Sequence, residues 1–454
     1  MRRFIPFIIS ISLFYNAFVY DLGVVHIAFA VISSFLSLIY FSQINWIHRL
    51  PSLTILLYCY LSTAFLSFSH LVPPIWTETD LMRIARLGSN IYCVAILSIS
   101  FIDLLFQKRY KNRYNNQMIS SYFISTKQVT FFFILSYALS IISYILGVSV
   151  MGAESTVLPF HLSGVLHGYR TVFAPLFFML IVENRLLNKR NVPRKWYLLF
   201  TIWCLFEAFL RISKSFFVFG LMPVGIFLFF YYRPSFKKLL VYMAPFTITA
   251  LFLYAIMGAM RGSSGATIAG LQEAQKIQSS NETSEEWGNP LVGSFNRMFM
   301  TGMAYRIDYD AFNHVDLFDF SSAPAIIVLG GTARYRTYFL HGQQEGRHNS
   351  DGTTGIIDPL LWGGFGFCYI ILFLLIASAI YTERHTGGRR LGLLVSFSLL
   401  FFSLITDGTV SWILSQNESS LLITRLIVIF ILIKINYGYK NQNNKLQRIN
   451  VVSV

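Results

Sequence analysis

Charge is what this chain has least of. Asp, Glu, Lys and Arg together make up 13% of its 454 residues, about half of the ~25% usual in soluble domains. The shortfall excludes an ordinary water-soluble globule. The mean hydropathy of +0.56 points to lipid as the solvent. Cysteine is scarce too. Cys59, Cys93, Cys204 and Cys368 all lie inside apolar runs, so no disulfide framework is expected. Walker A loops, paired Cys/His zinc spacings and the G-x-S-x-G nucleophile elbow are missing, which argues against the enzyme classes they mark. No internal repeat and no low-complexity tract is present. The net charge of +15 would suggest nucleic acid in a soluble protein. In a membrane protein, cytoplasmic loops rich in Lys and Arg account for it more simply, and no nucleic-acid partner is expected. Met1-Arg2-Arg3 before an apolar run resembles a signal peptide, but no Ala-x-Ala follows, so the run reads as a first span.

What the chain has in abundance is apolar length. A membrane helix needs about 17–25 mostly apolar residues. The runs that qualify are 4–20, 23–42, 52–72, 89–107, 129–149, 166–184, 196–212, 215–232, 239–258, 356–381, 391–406 and 420–437. The fold class expected is all-α: a polytopic membrane protein of about 12 transmembrane helices. The stretch 196–232 divides in two at Arg211-Ile212-Ser213-Lys214. With both termini in the cytoplasm, the inside segments hold 23 basic residues and the short outside loops 4 (Arg83, Arg86, Arg211 and Lys214). The positive-inside rule selects that orientation. Three parts follow: helices over 1–258, a large extracytoplasmic loop over 259–355, and further helices with a cytoplasmic tail over 356–454. The loop carries Trp287, Phe295, Phe299, Phe312, Phe318, Phe320 and the apolar stretch Ala325–Leu329. Short amphipathic helices lying on the membrane face are expected there, with a polar part at 272–289.

Charges within or beside a bilayer are expensive, so they are functional candidates. Arg170, Arg211, Lys214 and Arg425 lie at or just below the outer surface in this topology. Arg261 stands where the loop leaves its helix, and the loop adds Arg297, Arg306, Arg334, Arg336 and Arg347. Cations gathered on one side suit a phosphate-bearing lipid. The plainer reading is snorkelling to headgroups, or pairing with Asp308, Asp310, Asp316 and Asp319. His348-Asn349 precedes Asp351-Gly352-Thr353-Thr354-Gly355 and Asp358. A histidine beside carboxylates can accept a proton from a sugar hydroxyl, although exposed loop histidines are common and His314 and His341 lie nearby. Gly363, Gly364 and Gly366 read as positions where helices approach closely. Asp308-Tyr309-Asp310 spells a D-x-D in a stretch that is acidic in any case, and no metal is expected there. Asn281-Glu282-Thr283 and Asn417-Glu418-Ser419 are glycosylation sequons that matter only in a eukaryotic secretory pathway, to which nothing else points.

In plan, the chain resembles the O-antigen polymerases, which join oligosaccharide repeat units on a lipid carrier. Four stretches carry the likeness. Ser213-Lys214-Ser215-Phe216-Phe217 is similar to the family's Ser-Lys helix opening. Asn296-Arg297-Met298-Phe299-Met300 resembles its arginine-plus-apolar stretch early in the large loop. His167-Gly168-Tyr169-Arg170 through Pro175 resembles the start of a mid-chain helix. Gly363-Gly364-Phe365-Gly366 resembles the G-x-x-G closing the loop, a feature shared with the O-antigen ligases. In the ligases a His-Asn or His-Ser pair precedes these glycines. The corresponding slots here hold Gly352 and Thr353, with His348 four residues earlier. The mid-chain loop 150–168 is short and nearly free of basic residues.

The resemblance implies a GT-C-like fold in the inner membrane of a Gram-negative bacterium, with one large periplasmic loop. It implies inverting transfer of a growing glycan from undecaprenyl diphosphate to the sugar hydroxyl of another lipid-linked repeat unit, without a cofactor. Lys214, Arg297 and Arg170, then Arg211, Arg261 and Arg306, would stabilise the departing diphosphate. His348, then Asp351, would serve as base. The partners implied are undecaprenyl-diphosphate-linked glycans, the bilayer and a chain-length regulator protein. Two alternatives stand beside this: the sister ligase, and a non-enzymatic flippase or transporter of lipid-linked oligosaccharide. Transporters usually show internal repeats and charges near the membrane midplane.

Overall fold

Among the described residues the apolar runs become helices. The computed structural model describes residues 4–43, 49–64, 78–106, 124–148, 158, 162–188, 191–211, 220–232, 317–329, 335, 358–386 and 391–407. Every regular element among the described residues is helical. In chain order these are α1 (Phe4–Val19), α2 (Val24–Gln43), α3 (Leu50–Ala64), α4 (Glu78–Phe106), α5 (Thr126–Ile145), α6 (Leu162–Gly168), a π-turn (Tyr169–Phe173), α7 (Ala174–Leu187), α8 (Arg194–Arg211), α9 (Met222–Tyr232), α10 (Ala323–Leu329), α11 (Asp358–Thr386) and α12 (Leu391–Asp407). Four stretches are long and apolar enough to cross a membrane: Val24–Ser42, Ala85–Leu105, Thr126–Ile145 and Asp358–Arg384. Shorter apolar helices run over Ile5–Val19, Leu50–Tyr60 and Leu391–Phe401. The protein is a helical membrane protein. The expected spans 239–258 and 420–437 lie outside the described residues, as does most of the 259–355 loop.

Helix limits follow the apolar runs closely at α1, α2, α8 and α12, but not at α4. There the run begins at residue 89, while the helix begins at Glu78. Hydropathy detects only the part matched to lipid, whereas a helix continues for as long as its backbone hydrogen bonds close. At the start of α5, Ser125 caps the helix. Its hydroxyl accepts from the Gln128 N–H, and the Gln128 side chain accepts from the Ser125 N–H. This is a capping box.

The chain divides into two units. The first draws on Met1–Arg113, Glu286–His385 and Phe397–Ser419, the second on Tyr114–Glu285, Thr386–Ser396 and Ser420–Val454. In the first unit α1 packs on α2, α2 on α4 and α3 on α4. The α1–α2 turn places Gly23 at φ +85°, where a side chain would be strained although the space around it is open. Hydroxyl pairs join the helices: Ser12 to Tyr60 (3.0 Å), Ser37 to Tyr92 (2.8 Å) and Tyr40 to Ser52 (3.2 Å). Where water is scarce, small hydroxyls of this kind hold helices together.

One end of this unit is tied by charge. Arg49 reaches Asp103 (2.6 Å) and Glu383 (3.2 Å), and Arg384 reaches Asp103 (2.9 Å). Glu383 also accepts from the Ser52 N–H at the start of α3 (2.6 Å). That placement suits a carboxylate, because the first N–H groups of a helix have no partner within it. The start of α3 and the ends of α4 and α11 therefore meet at one level. These are three of the ends that the charge count assigns to the cytoplasm.

In the second unit α5 packs on α8, and the α6–π–α7 segment packs along α5. Phe178 stacks on Phe200 with centroids 4.1 Å apart, and Trp203 donates to Ser140 (3.0 Å). At the opposite end of these helices, Asn184 accepts from the Ile124 N–H (3.1 Å). Arg185 donates to Thr126 (3.1 Å) and lies 4.6 Å over Trp196. Glu183 accepts from the Gly392 N–H at the start of α12 (2.7 Å).

Candidate functional site

Arg170 and Glu207 form the most sequestered charge pair among the described residues. Both are fully buried. Arg170 donates through Nε to both carboxylate oxygens of Glu207 (2.8 and 2.9 Å) and through Nη2 to Oε2 (2.7 Å). Its remaining nitrogen, Nη1, is buried and has no hydrogen-bond partner. An unsatisfied buried donor costs about 1–3 kcal/mol, and more on a charged group. Such a donor calls for an acceptor oxygen.

The backbone that places Arg170 is irregular for a legible reason. Pro175 occupies the first turn of α7 and lacks an N–H. Thr171 O, four residues earlier, therefore loses its α-helical donor. The chain passes this gap as a π-turn over Tyr169–Phe173, with the Ala174 N–H donating to Tyr169 O. Single π-turns within α-helices recur at functional sites. Tyr169, beside Arg170, pairs with Ser136 (3.1 Å) on α5, and Ser143 further along α5 keeps a buried hydroxyl without a partner.

Arg170, expected at or just below the outer surface of the membrane, is enclosed by protein. It neither snorkels to headgroups nor pairs with an acid of the large loop. Glu207, on the neighbouring helix, outcompetes both, because a carboxylate in the same apolar layer neutralises the guanidinium without unwinding anything. Sequence reasoning missed Glu207. The signal is present, since Glu207 is an acid inside the run 196–212. Arg211 is the last residue of α8. Lys214, Arg261, Arg297, Arg306, His348 and Asp351 lie outside the described residues.

The second place of interest is the break in α11, in the first unit. Gly363 (φ −157°, ψ 17°) and Gly364 (φ 82°, ψ −176°) leave helical geometry. Only glycine adopts the second conformation routinely. The freed backbone is satisfied by the segment before α10. The Gly366 N–H donates to Leu317 O (2.6 Å), and the Asp319 N–H donates to Gly363 O (3.2 Å). The rings of Phe318 and Phe320 fill the space a Cβ would need at Gly366 and Gly363. So the glycines admit a loop and a broken helix, where helix-to-helix contact was expected. The expected short helix is present as α10. It buries Ile326 against Leu361 and Trp362. Asp319 accepts from the Ser321 N–H (2.9 Å), and that backbone hydrogen bond holds its carboxyl below the usual range.

Among the described residues no group of three or more His, Cys, Asp or Glu side chains converges as a metal site would require. None of the four cysteines forms a disulfide, and all four are buried. Comparison of the chain with protein-family models, with curated proteins and with solved structures finds no match in any of the three.

Proposed function

We propose that this protein polymerises undecaprenyl-diphosphate-linked oligosaccharide repeat units at the periplasmic face of a Gram-negative inner membrane. The proposal includes about 12 spans, a GT-C-like arrangement and cytoplasmic termini. The glycan on one carrier is attacked at its anomeric carbon by a sugar hydroxyl of another. The bond to the diphosphate breaks with inversion, and the hydroxyl proton passes to a base. His348 is proposed for that base, with Asp351 as second choice.

One observation supports this reading more than any other: the Arg170 guanidinium is fixed by Glu207, yet keeps one edge without a partner. A diphosphate leaves readily once its charge is met, so the reaction needs prepositioned cations more than it needs an acid. In the proposed topology Arg170 lies in the outer part of its span, eight residues from the start of α6. Lys214, Arg211, Arg261, Arg297 and Arg306 are proposed to complete the cation set. A chain-length regulator is the proposed protein partner.

The same observation also favours a second reading. A neutralised charge pair enclosed among helices is what a transporter of lipid-linked oligosaccharide would carry in its path. Deleting the gene and viewing lipopolysaccharide on a gel separates the readings. A core bearing a single repeat unit is expected. Repeat units held on the cytoplasmic face would instead establish the transporter. A bare core with long chains left on the carrier would establish the ligase. Arg170→Lys should lower chain growth by about 10²–10³ while the protein remains in the membrane, the loss typical of one prepositioned donor.

A further inference from the structure

Leu317, Phe318, Phe320, Ile327 and Val328 are exposed apolar side chains, an apolar patch within the 13-residue segment 317–329. Leu317 is 64% exposed and Val328 85%. In water such a patch would be a liability, and its depth says what covers it. The charge network of Arg49, Asp103, Glu383 and Arg384 lies at helix ends and, unlike the Arg170–Glu207 pair, keeps Arg49, Asp103 and Arg384 partly exposed, so it marks one boundary of the membrane. From Gly366 to Arg384 α11 is regular. Those 18 steps at 1.5 Å rise place Gly366 about 27 Å above Arg384. A hydrocarbon layer about 30 Å thick ends just beyond that point. Gly366 is where Leu317 is hydrogen-bonded and where the Phe318 ring packs.

We propose that residues 317–329 form a wedge set into the outer leaflet, with Leu317, Phe318 and Val328 among the acyl chains next to the headgroups. The occupant of the patch is lipid. Two further observations fit that depth. Non-helical backbone at membrane level survives only where protein covers it, and this segment supplies the hydrogen bonds that the Gly363–Gly364 break lacks. The Asp319 carboxylate, bonded to Ser321, limits insertion to the boundary, because deeper burial would desolvate it.

The test uses the full chain in vesicles of phosphatidylethanolamine and phosphatidylglycerol. A nitroxide is placed at Val328→Cys, at Leu317→Cys and, for reference, at Ser321→Cys; the native cysteines are buried. Relaxation by oxygen, relative to relaxation by a water-soluble nickel chelate, should be several-fold greater at 317 and 328 than at 321. Equal ratios at the three sites would mean a patch in water and would overturn the wedge. Protection from both relaxants at 317 and 328 would mean cover by protein and would overturn it equally. The Leu317 site stands outside α10, so it reports even if labelling at Val328 disturbs that helix.

Discussion

At the scale of the residue, Arg170 and Glu207 depend on each other. Each is an ion in a place with no water, and three hydrogen bonds are what make that place tolerable. Removing one partner strands the other, which typically costs about 3–5 kcal/mol. Arg170→Leu and Glu207→Leu should therefore each lower the melting temperature of the detergent-solubilised protein. The double variant Arg170→Leu/Glu207→Leu should recover most of that loss. It should not recover chain growth if the guanidinium meets substrate. Equal melting temperatures for the two single variants and the parent would show that the pair is not held as described. Half of this pair was legible beforehand. An arginine inside an apolar run signals itself, and so would a glutamate once acids are sought with equal care. Which of them meet could not be read, because the two are 37 residues apart in sequence and on different helices.

At the scale of the element, α11 shows where a hydropathy profile stops informing. Its apolar run predicts one continuous helix, and its glycines suggest close packing. Neither reveals that Gly364 stands at φ 82°, because that angle is set by what the loop before α10 requires of it. Gly364→Ala places a Cβ in a conformation that costs about 1–3 kcal/mol. Gly366→Ala sets a Cβ 2.8 Å from Leu317 O and against the Phe318 ring. Both variants should loosen 317–329 and leave α3 and α4 unaffected. Hydrogen exchange measured by mass spectrometry would then show faster exchange in that segment alone. Unchanged exchange there would mean that the glycines do not govern the contact. The short helix α10 was legible from the Ala325–Leu329 run, and its partners Leu361 and Trp362 were not. By contrast, Pro175 announces the π-turn locally. A proline that removes a donor one turn after a buried arginine is a signal that can be read in sequence.

At the scale of the whole molecule, all-helical membrane architecture was the most legible property. It follows from composition, run length and scarcity of charge, which act through bulk solvation and need no detail. Orientation rests on the imbalance of basic residues between the two sides. Alkaline phosphatase fused within 259–355 should be active, and the same reporter fused after Arg113 inactive. The reverse pattern would remove the large loop from the periplasm and the proposed chemistry with it. Helix order within each unit was less legible. It depends on single hydroxyl contacts such as Ser37 with Tyr92, which sequence spacing does not encode.

The charge network at the start of α3 also bears on how the chain is made. Arg49 leaves the ribosome long before either of its partners. Asp103 follows 54 residues later and Glu383 only after 334. Until Asp103 emerges, Arg49 has neither of its carboxylates to meet. Once α11 inserts, the same side chain becomes a clasp between the oldest helices and one of the youngest. The early helices are thus joined to one another first, through Arg49 and Asp103, and α11 is joined to them last, through Glu383 and Arg384.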